Sequence, residues 1–247
     1  MVKAFNFSRL PLIFFGPGKL KLLPGLIKSY GRNIILVTTG DPFINSAYYQ
    51  SLILTFNDNG IKFHQITVAK EPSPEIIDEA VGRFINMSID AVVSIGGGSV
   101  IDAGKAISAM MSADDSVIQY LEGVGNKDHT GSKLPFIAVP TTAGTGSEAT
   151  KNAVISYVGR DGFKKSLRHD NFVPDIAVID PELTLTCPRD ITATSGMDCF
   201  TQLTEAYLSD RANEYTDALA WEGLKAVSES LVLCIEDGSR IESRSGM

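Results

Sequence analysis

One run constrains this chain more than any other: Ala91-Val92-Val93-Ser94-Ile95-Gly96-Gly97-Gly98-Ser99-Val100-Ile101-Asp102-Ala103-Gly104-Lys105. An apolar stretch breaks into three consecutive glycines and resumes at a different period. Residues 91–95 read as a short, fully buried strand, and Val100, Ile101, Ala103 and Ile107 then recur at helical spacing. The glycines therefore fall in a strand-to-helix turn. Without a Cβ there, the backbone is free to take positive φ, and a ligand can come close to the N–H groups. A diphosphate would sit on the helix N-terminus, where unpaired donors and the helix dipole both favour negative charge. Asp102 in the first turn would repel phosphate, so its expected role is to accept a hydrogen bond from a neutral part of a ligand. A tight turn that binds nothing could carry the same glycines, so the motif has to be weighed with its surroundings.

Those surroundings alternate. Strand patterns at 33–39 and 62–68 and helical patterns at 46–59 and 74–87 precede the glycine turn. Apolar strands without polar alternation, separated by helices, predict an α/β fold with a Rossmann-like parallel sheet covered on both faces. Ligands of such sheets lie at the carboxyl ends of the strands. Thr38-Thr39-Gly40-Asp41-Pro42 is one such end. Another follows the strand at 135–139, which runs into Pro140-Thr141-Thr142-Ala143-Gly144-Thr145-Gly146-Ser147-Glu148-Ala149-Thr150. This loop's small hydroxyls suit hydrogen bonding to phosphate, ribose or carboxamide without adding charge, although self-capping turns use the same residues. From Pro188 the pattern becomes helical, over 188–209 and 213–236. The expected organisation is a dinucleotide-binding α/β domain at 1–185, followed at 186–247 by the beginning of an all-helical domain. Within the first helical stretch Asp198 and Gln202 lie four residues apart, and so on one helix face. The pair could be two oxygen ligands for a metal, but spacing alone favours a simple side-chain hydrogen bond.

Composition narrows the class. With 247 residues, 44% of them hydrophobic, the chain can bury a sizeable core. A net charge of −7 with no Lys/Arg run argues against a nucleic-acid partner. The apolar run at 10–15 is interrupted by Pro11 and is too short for a membrane span or a signal-peptide core, which makes the cytoplasm the default expectation. Cys187, Cys199 and Cys234 have no metal-type spacing, and their odd number argues against a disulfide framework. They are expected to be reduced and mostly buried. His64, His129 and His169 have no ligand spacing to Asp198 and read as structural or solvent-exposed.

Together the glycine turn, the 140–147 loop and the Gly196-Met197-Asp198 segment resemble the iron-containing (group III) alcohol dehydrogenases. The resemblance runs from Phe14, Gly16 and Gly18 through Asp180-Pro181-Glu182-Leu183 to Glu205-Ala206-Tyr207. It implies that Gly97, Gly98 and Ser99 cradle the cofactor diphosphate with Asp102 nearby, and that Thr141, Thr142 and Thr145 contact the cofactor. Lys164 would line the cofactor and active-site cleft as a point charge, with Lys165 as a competing candidate. The implied reaction is hydride transfer between a nicotinamide and a small alcohol or aldehyde, with a divalent metal, Fe(II) or Zn(II), polarising the carbonyl. Asp41 near the end of the first predicted strand would bond a ribose 2′-OH, which favours NAD, while the glycine beside it would also admit NADP.

Two departures qualify the resemblance. Where the family's metal-binding helix offers Asp and then His, this chain offers Asp198 and then Gln202. A neutral amide is a weaker ligand than imidazole for Fe(II) or Zn(II). The family's members also continue beyond the point where this chain stops, and the resemblance places their two remaining histidine ligands there. The expectation is a truncated chain that binds cofactor and catalyses poorly, with Leu224, Val227 and Leu231 exposed and prone to self-association, so that a homo-oligomer is possible. The competing functions are a nucleotide-binding protein without dehydrogenase activity and a lyase resembling dehydroquinate synthase.

Overall fold

The computed structural model describes residues 4–160 and 162–247, and the side chains of Asp41 and Pro42 also lie outside that description. The first half alternates β1 (Leu12–Phe15), α1 (Leu23–Lys28), β2 (Asn33–Thr38), α2 (Asp41–Ile44), α3 (Ala47–Asp58), β3 (Lys62–Thr67), α4 (Pro74–Phe84), β4 (Ala91–Gly96) and α5 (Gly98–Met110). There follow β5 (Phe136–Pro140), β6 (Asn152–Tyr157), β7 (Phe163–Arg168), β8 (Ile176–Ile179), α6 (Arg189–Leu208), α7 (Glu214–Glu236) and α8 (Ile241–Gly246). Six strands form one parallel sheet in the order β1-β8-β5-β4-β2-β3, and β6 and β7 form a separate antiparallel hairpin. This is the expected Rossmann-like α/β architecture followed by helices.

Apolar residues on both faces of the strands account for the layering. Ile35, Val37, Val92, Phe136 and Ala138 face the layer of α4 and α5, while Ile34, Leu36, Val93, Ile95 and Val139 face α1 and α3. All of β4 and β5 is buried, as expected of central parallel strands covered on both sides. Local chemistry sets the helix starts: Ser46 and Ser73 accept N–H bonds from Tyr49 and Ile76, and Pro74 opens α4, where its missing N–H costs nothing. The helix expected over 74–87 ends at Phe84, and the chain turns at Ile85 and Asn86 before entering β4.

One expectation is corrected here. Val227 and Leu231 are not exposed: at 2% and 7% accessibility they lie against α6, where a Cβ on Gly196 would come within 2.3 Å of Leu231. Leu224 is half-buried. Leu208, Leu219, Trp221 and Val232 are among the apolar side chains of this region that do face outward. The cysteines are free, with Cys234 buried and the other two half-buried. All three histidines are structural: His64 bonds Asn33 across the sheet, His129 packs between Tyr120 and Phe172, and His169 accepts the N–H of Asn171. Among the described residues no helix is long and apolar enough to cross a membrane.

Candidate nucleotide-binding cleft

The glycine turn is built as the sequence predicts, though for a different steric reason. None of Gly96, Gly97 and Gly98 takes positive φ; Gly97 is extended at the N-terminus of α5 and has no side-chain cap. What requires glycine is close approach. A Cβ on Gly98 would lie 2.8 Å from Thr145, and one on Gly97 would touch Thr142 at 3.4 Å. The turn is also tied to the exit of β5, where the Thr141 N–H donates to the Gly96 carbonyl at 3.0 Å. The first turn of α5 carries no acid, because the helix begins at Gly98 and places Asp102 one turn in. The Val100 and Ile101 N–H groups bond the Gly97 carbonyl, so the donors this N-terminus offers a ligand are those of Gly98 and Ser99.

A cleft of about 550 Å³ opens beside this turn. Gly98, Ser99, Asp102, Thr145 and Lys164 line it together with Asp198 and Gln202 from α6. Its outer wall is the β6–β7 hairpin, which brings Asn152 and Val154, and its mouth carries Glu71 and Pro72 from the segment after β3. Lys164 Nζ lies 2.5 Å from Glu71 Oε1, and the other Glu71 oxygen accepts the Ser156 hydroxyl. These partners hold the Glu71 carboxyl below the usual carboxylate range. Lys164 is therefore already ion-paired at the cleft mouth. Lys165 is its neighbour on β7 and does not line the cleft.

Deeper in the cleft, Asp102 Oδ2 accepts the Val154 N–H at 3.1 Å, while Oδ1 is buried with no hydrogen-bond partner. Burial pushes this carboxyl's pKa up, opposed first by Lys105 and then by the Val154 N–H. A buried, unpaired acceptor is costly unless a ligand donor satisfies it. Such an acceptor, beside a glycine cradle that a Cβ would obstruct, fits a dinucleotide.

The same test gives a different answer for a metal ion. Gln202 Nε2 donates to Asp198 Oδ2 at 2.7 Å, so the pair forms an intrahelical hydrogen bond and the amide presents its NH₂ to the carboxylate. Among the described residues no group of three or more His, Cys, Asp or Glu is gathered as a ligand set. The residues present do not by themselves fit a metal ion.

The remaining sequence candidates lie outside this cleft. Thr142 lines an adjoining recess of about 250 Å³ with Gly144, Glu148, Cys199 and Arg244. Gly97 and Thr141 act through the backbone of the turn. The Asp41 side chain lies outside the described residues. Sequence reasoning missed Glu71, Ser147, Asn152 and Val154. The alternation Asn152-Ala153-Val154-Ile155, with Ala153 and Ile155 buried, was the signal that could have revealed β6.

Comparison with known proteins agrees with this geometry. Residues 11–181 match the family described as iron-containing alcohol dehydrogenase, and residues 192–247 match the Fe-containing alcohol dehydrogenase family, C-terminal. Long-chain-alcohol dehydrogenase 1 of Geobacillus thermodenitrificans is 33% identical over 96% of this chain and 60% of its own length. The NAD-dependent methanol dehydrogenase of Bacillus methanolicus is 32% identical over 98% of this chain and 63% of its own. Among solved structures, a sulfoacetaldehyde reductase from Bifidobacterium kashiwanohense in complex with NAD+ superposes with a TM-score of 0.87 at 29% identity, over 99% of this chain and 64% of that one. The chain thus spans about three fifths of the length of the curated relatives it matches. On this match, which covers most of its residues, the chain belongs to the iron-containing alcohol dehydrogenase family.

Proposed function

We propose that this chain binds a nicotinamide dinucleotide across its glycine turn, as the nucleotide-binding part of an oxidoreductase that transfers a hydride between that cofactor and a small alcohol or aldehyde. The observation that carries the reading is the juxtaposition of the Gly98 cradle, the unpartnered Asp102 Oδ1 and Lys164 in one cleft at the carboxyl ends of β4 and β5. The NAD-dependence of the Bacillus methanolicus relative and the NAD+ in the Bifidobacterium structure support NAD over NADP. In this reading the diphosphate lies on the N-terminus of α5, Asp102 accepts from an uncharged donor of the cofactor, and Lys164 flanks it at the cleft mouth. The cofactor supplies the redox chemistry, and the protein positions it. A Fe(II) or Zn(II) ion would need donors beyond Asp198 and Gln202.

Fluorescence titration with NADH tests the proposal. The Gly98→Ala variant adds a methyl group against Thr145 and blocks the approach to the turn, and it is expected to weaken NADH binding on the order of tenfold or more while the fold persists. No NADH or NADPH binding by the unaltered chain would overturn the reading. The Asp198–Gln202 hydrogen bond favours a second reading, a nucleotide-binding protein that does not turn over alcohols. Nucleotide binding without aldehyde-dependent NADH oxidation, with divalent metal supplied, would select it.

A further inference from the structure

Lys105 was not a candidate from sequence, yet it is among the most completely buried side chains of the molecule, with 1% accessibility. It rises from α5 on the side that carries Asp102. Its ammonium donates to the carbonyls of Ser147 at 2.8 Å, Thr150 at 2.9 Å and Asn152 at 2.8 Å, and contacts the Thr150 hydroxyl at 3.1 Å. Asp102 Oδ1, the unpartnered oxygen in the cleft, lies 4.0 Å away. A single buried cation therefore ties together two cleft walls. One is α5, which bears Ser99 and Asp102, and the other is the segment 147–152, which bears Ser147, Thr150 and Asn152.

We propose that Lys105 is a positioning residue that locks the 147–152 segment onto α5 and keeps Asp102 Oδ1 ready for a donor on the bound dinucleotide. The dinucleotide half of this inference rests on the function proposed above; the lock itself does not. Three carbonyls converging on one point repel each other unless a cation sits between them, and hydrogen bonds from a charged donor are the stronger kind. Within the 147–152 segment the carbonyls of Ser147, Thr150 and Asn152 all turn to Lys105, while that of Lys151 accepts the His169 N–H. The charged groups facing the ammonium are Asp102 on its own helix and Glu148 on the overlying segment, while β6 offers only the Asn152 carbonyl. Burial lowers the Lys105 pKa to about 8, against the opposing pull of Asp102 and Glu148. Losing the proton leaves two donors for three carbonyls and removes the charge that opposes the protonation of Asp102.

The test compares the unaltered chain with Lys105→Met and Lys105→Arg. It uses two readouts: hydrogen exchange of the 147–152 amides without nucleotide, corrected for intrinsic rates, and NADH titration across the same pH range. In the unaltered chain the segment's protection is expected to fall as pH rises through about 8, and NADH affinity to fall with it on the order of tenfold. Lys105→Met should show low protection and weak binding at every pH. Lys105→Arg, still charged in that range, should hold both steady. A general weakening of the fold would lower protection everywhere and would not follow this pH profile. If Lys105→Met fails to fold, the pH series of the unaltered chain decides alone. Protection at 147–152 that is flat with pH overturns the proposal. Protection that responds as expected in a chain that binds no nucleotide upholds the lock and overturns the nucleotide reading.

Discussion

The glycines of the turn and of α5 act at contact distances rather than through unusual dihedrals. Gly104 shows this most sharply: a Cβ there would lie 1.8 Å from Ser94 Oγ and 3.0 Å from the Phe136 ring. The contact sets how closely α5 packs on β4 and β5, and so where the glycine turn stands relative to the Thr145 loop. Gly104→Ala is expected to destabilise the chain by about 1–3 kcal/mol, seen as a lower urea midpoint with an unchanged slope. That Gly98, Ser99 and Thr145 gather in one cleft was legible because glycines and small hydroxyls crowd two neighbouring strand exits in the sequence. Glu71 and Lys105 were not legible. A glutamate before a proline and a lysine within a helix are ordinary surface residues until the fold brings Lys164 beside one and three carbonyls around the other.

Helix α6 carries the departure that bears most on chemistry. Its 20 residues present Asp198 and Gln202 to the cleft one turn apart, and the amide satisfies the carboxylate. An imidazole at 202 would supply a stronger donor on the same helix face. Gln202→His is therefore expected to raise affinity for Zn(II) or Co(II) by on the order of tenfold or more, read by calorimetry or by the visible absorption of bound Co(II). Unchanged metal affinity would mean that Asp198 does not contribute to a metal site. The helical expectations at 188–209 and 213–236 match α6 and α7 to within a residue at each end, because Asn213 caps one and Pro188 precedes the other. The β6–β7 hairpin was missed because it pairs as a separate antiparallel unit outside the main sheet and β7 is largely polar. With them went Asn152 and Val154, half of the cleft's outer wall.

For the molecule as a whole, the end of the sheet opposite the cleft is held by a charge cluster. Asp175 accepts from Arg9, Lys133 and the Phe136 N–H. Burial works to raise its carboxyl pKa, but these partners prevail and leave it below the ordinary value. A carboxylate with a depressed folded-state pKa contributes stability that is present above its unfolded pKa of about 4 and is lost as pH falls through the folded value. Asp175→Asn should therefore flatten the acid limb of the stability profile, measured by denaturation midpoints on either side of that pH. The outward apolar side chains Leu208, Leu219, Trp221 and Val232, with Leu12 and Phe15 on edge strand β1, predict concentration-dependent association in light scattering. A monodisperse monomer at high concentration would refute this. The sequence alone determined four of the six parallel strands, the glycine turn and the two long helices that follow, because apolar periodicity and strand-exit glycines are local signals that survive without neighbours. Only the tertiary structure decided that Val227 and Leu231 are interior and that Lys105 joins the two cleft walls. Those outcomes depend on which faces and carbonyls meet across long separations in the chain, and no local pattern encodes that.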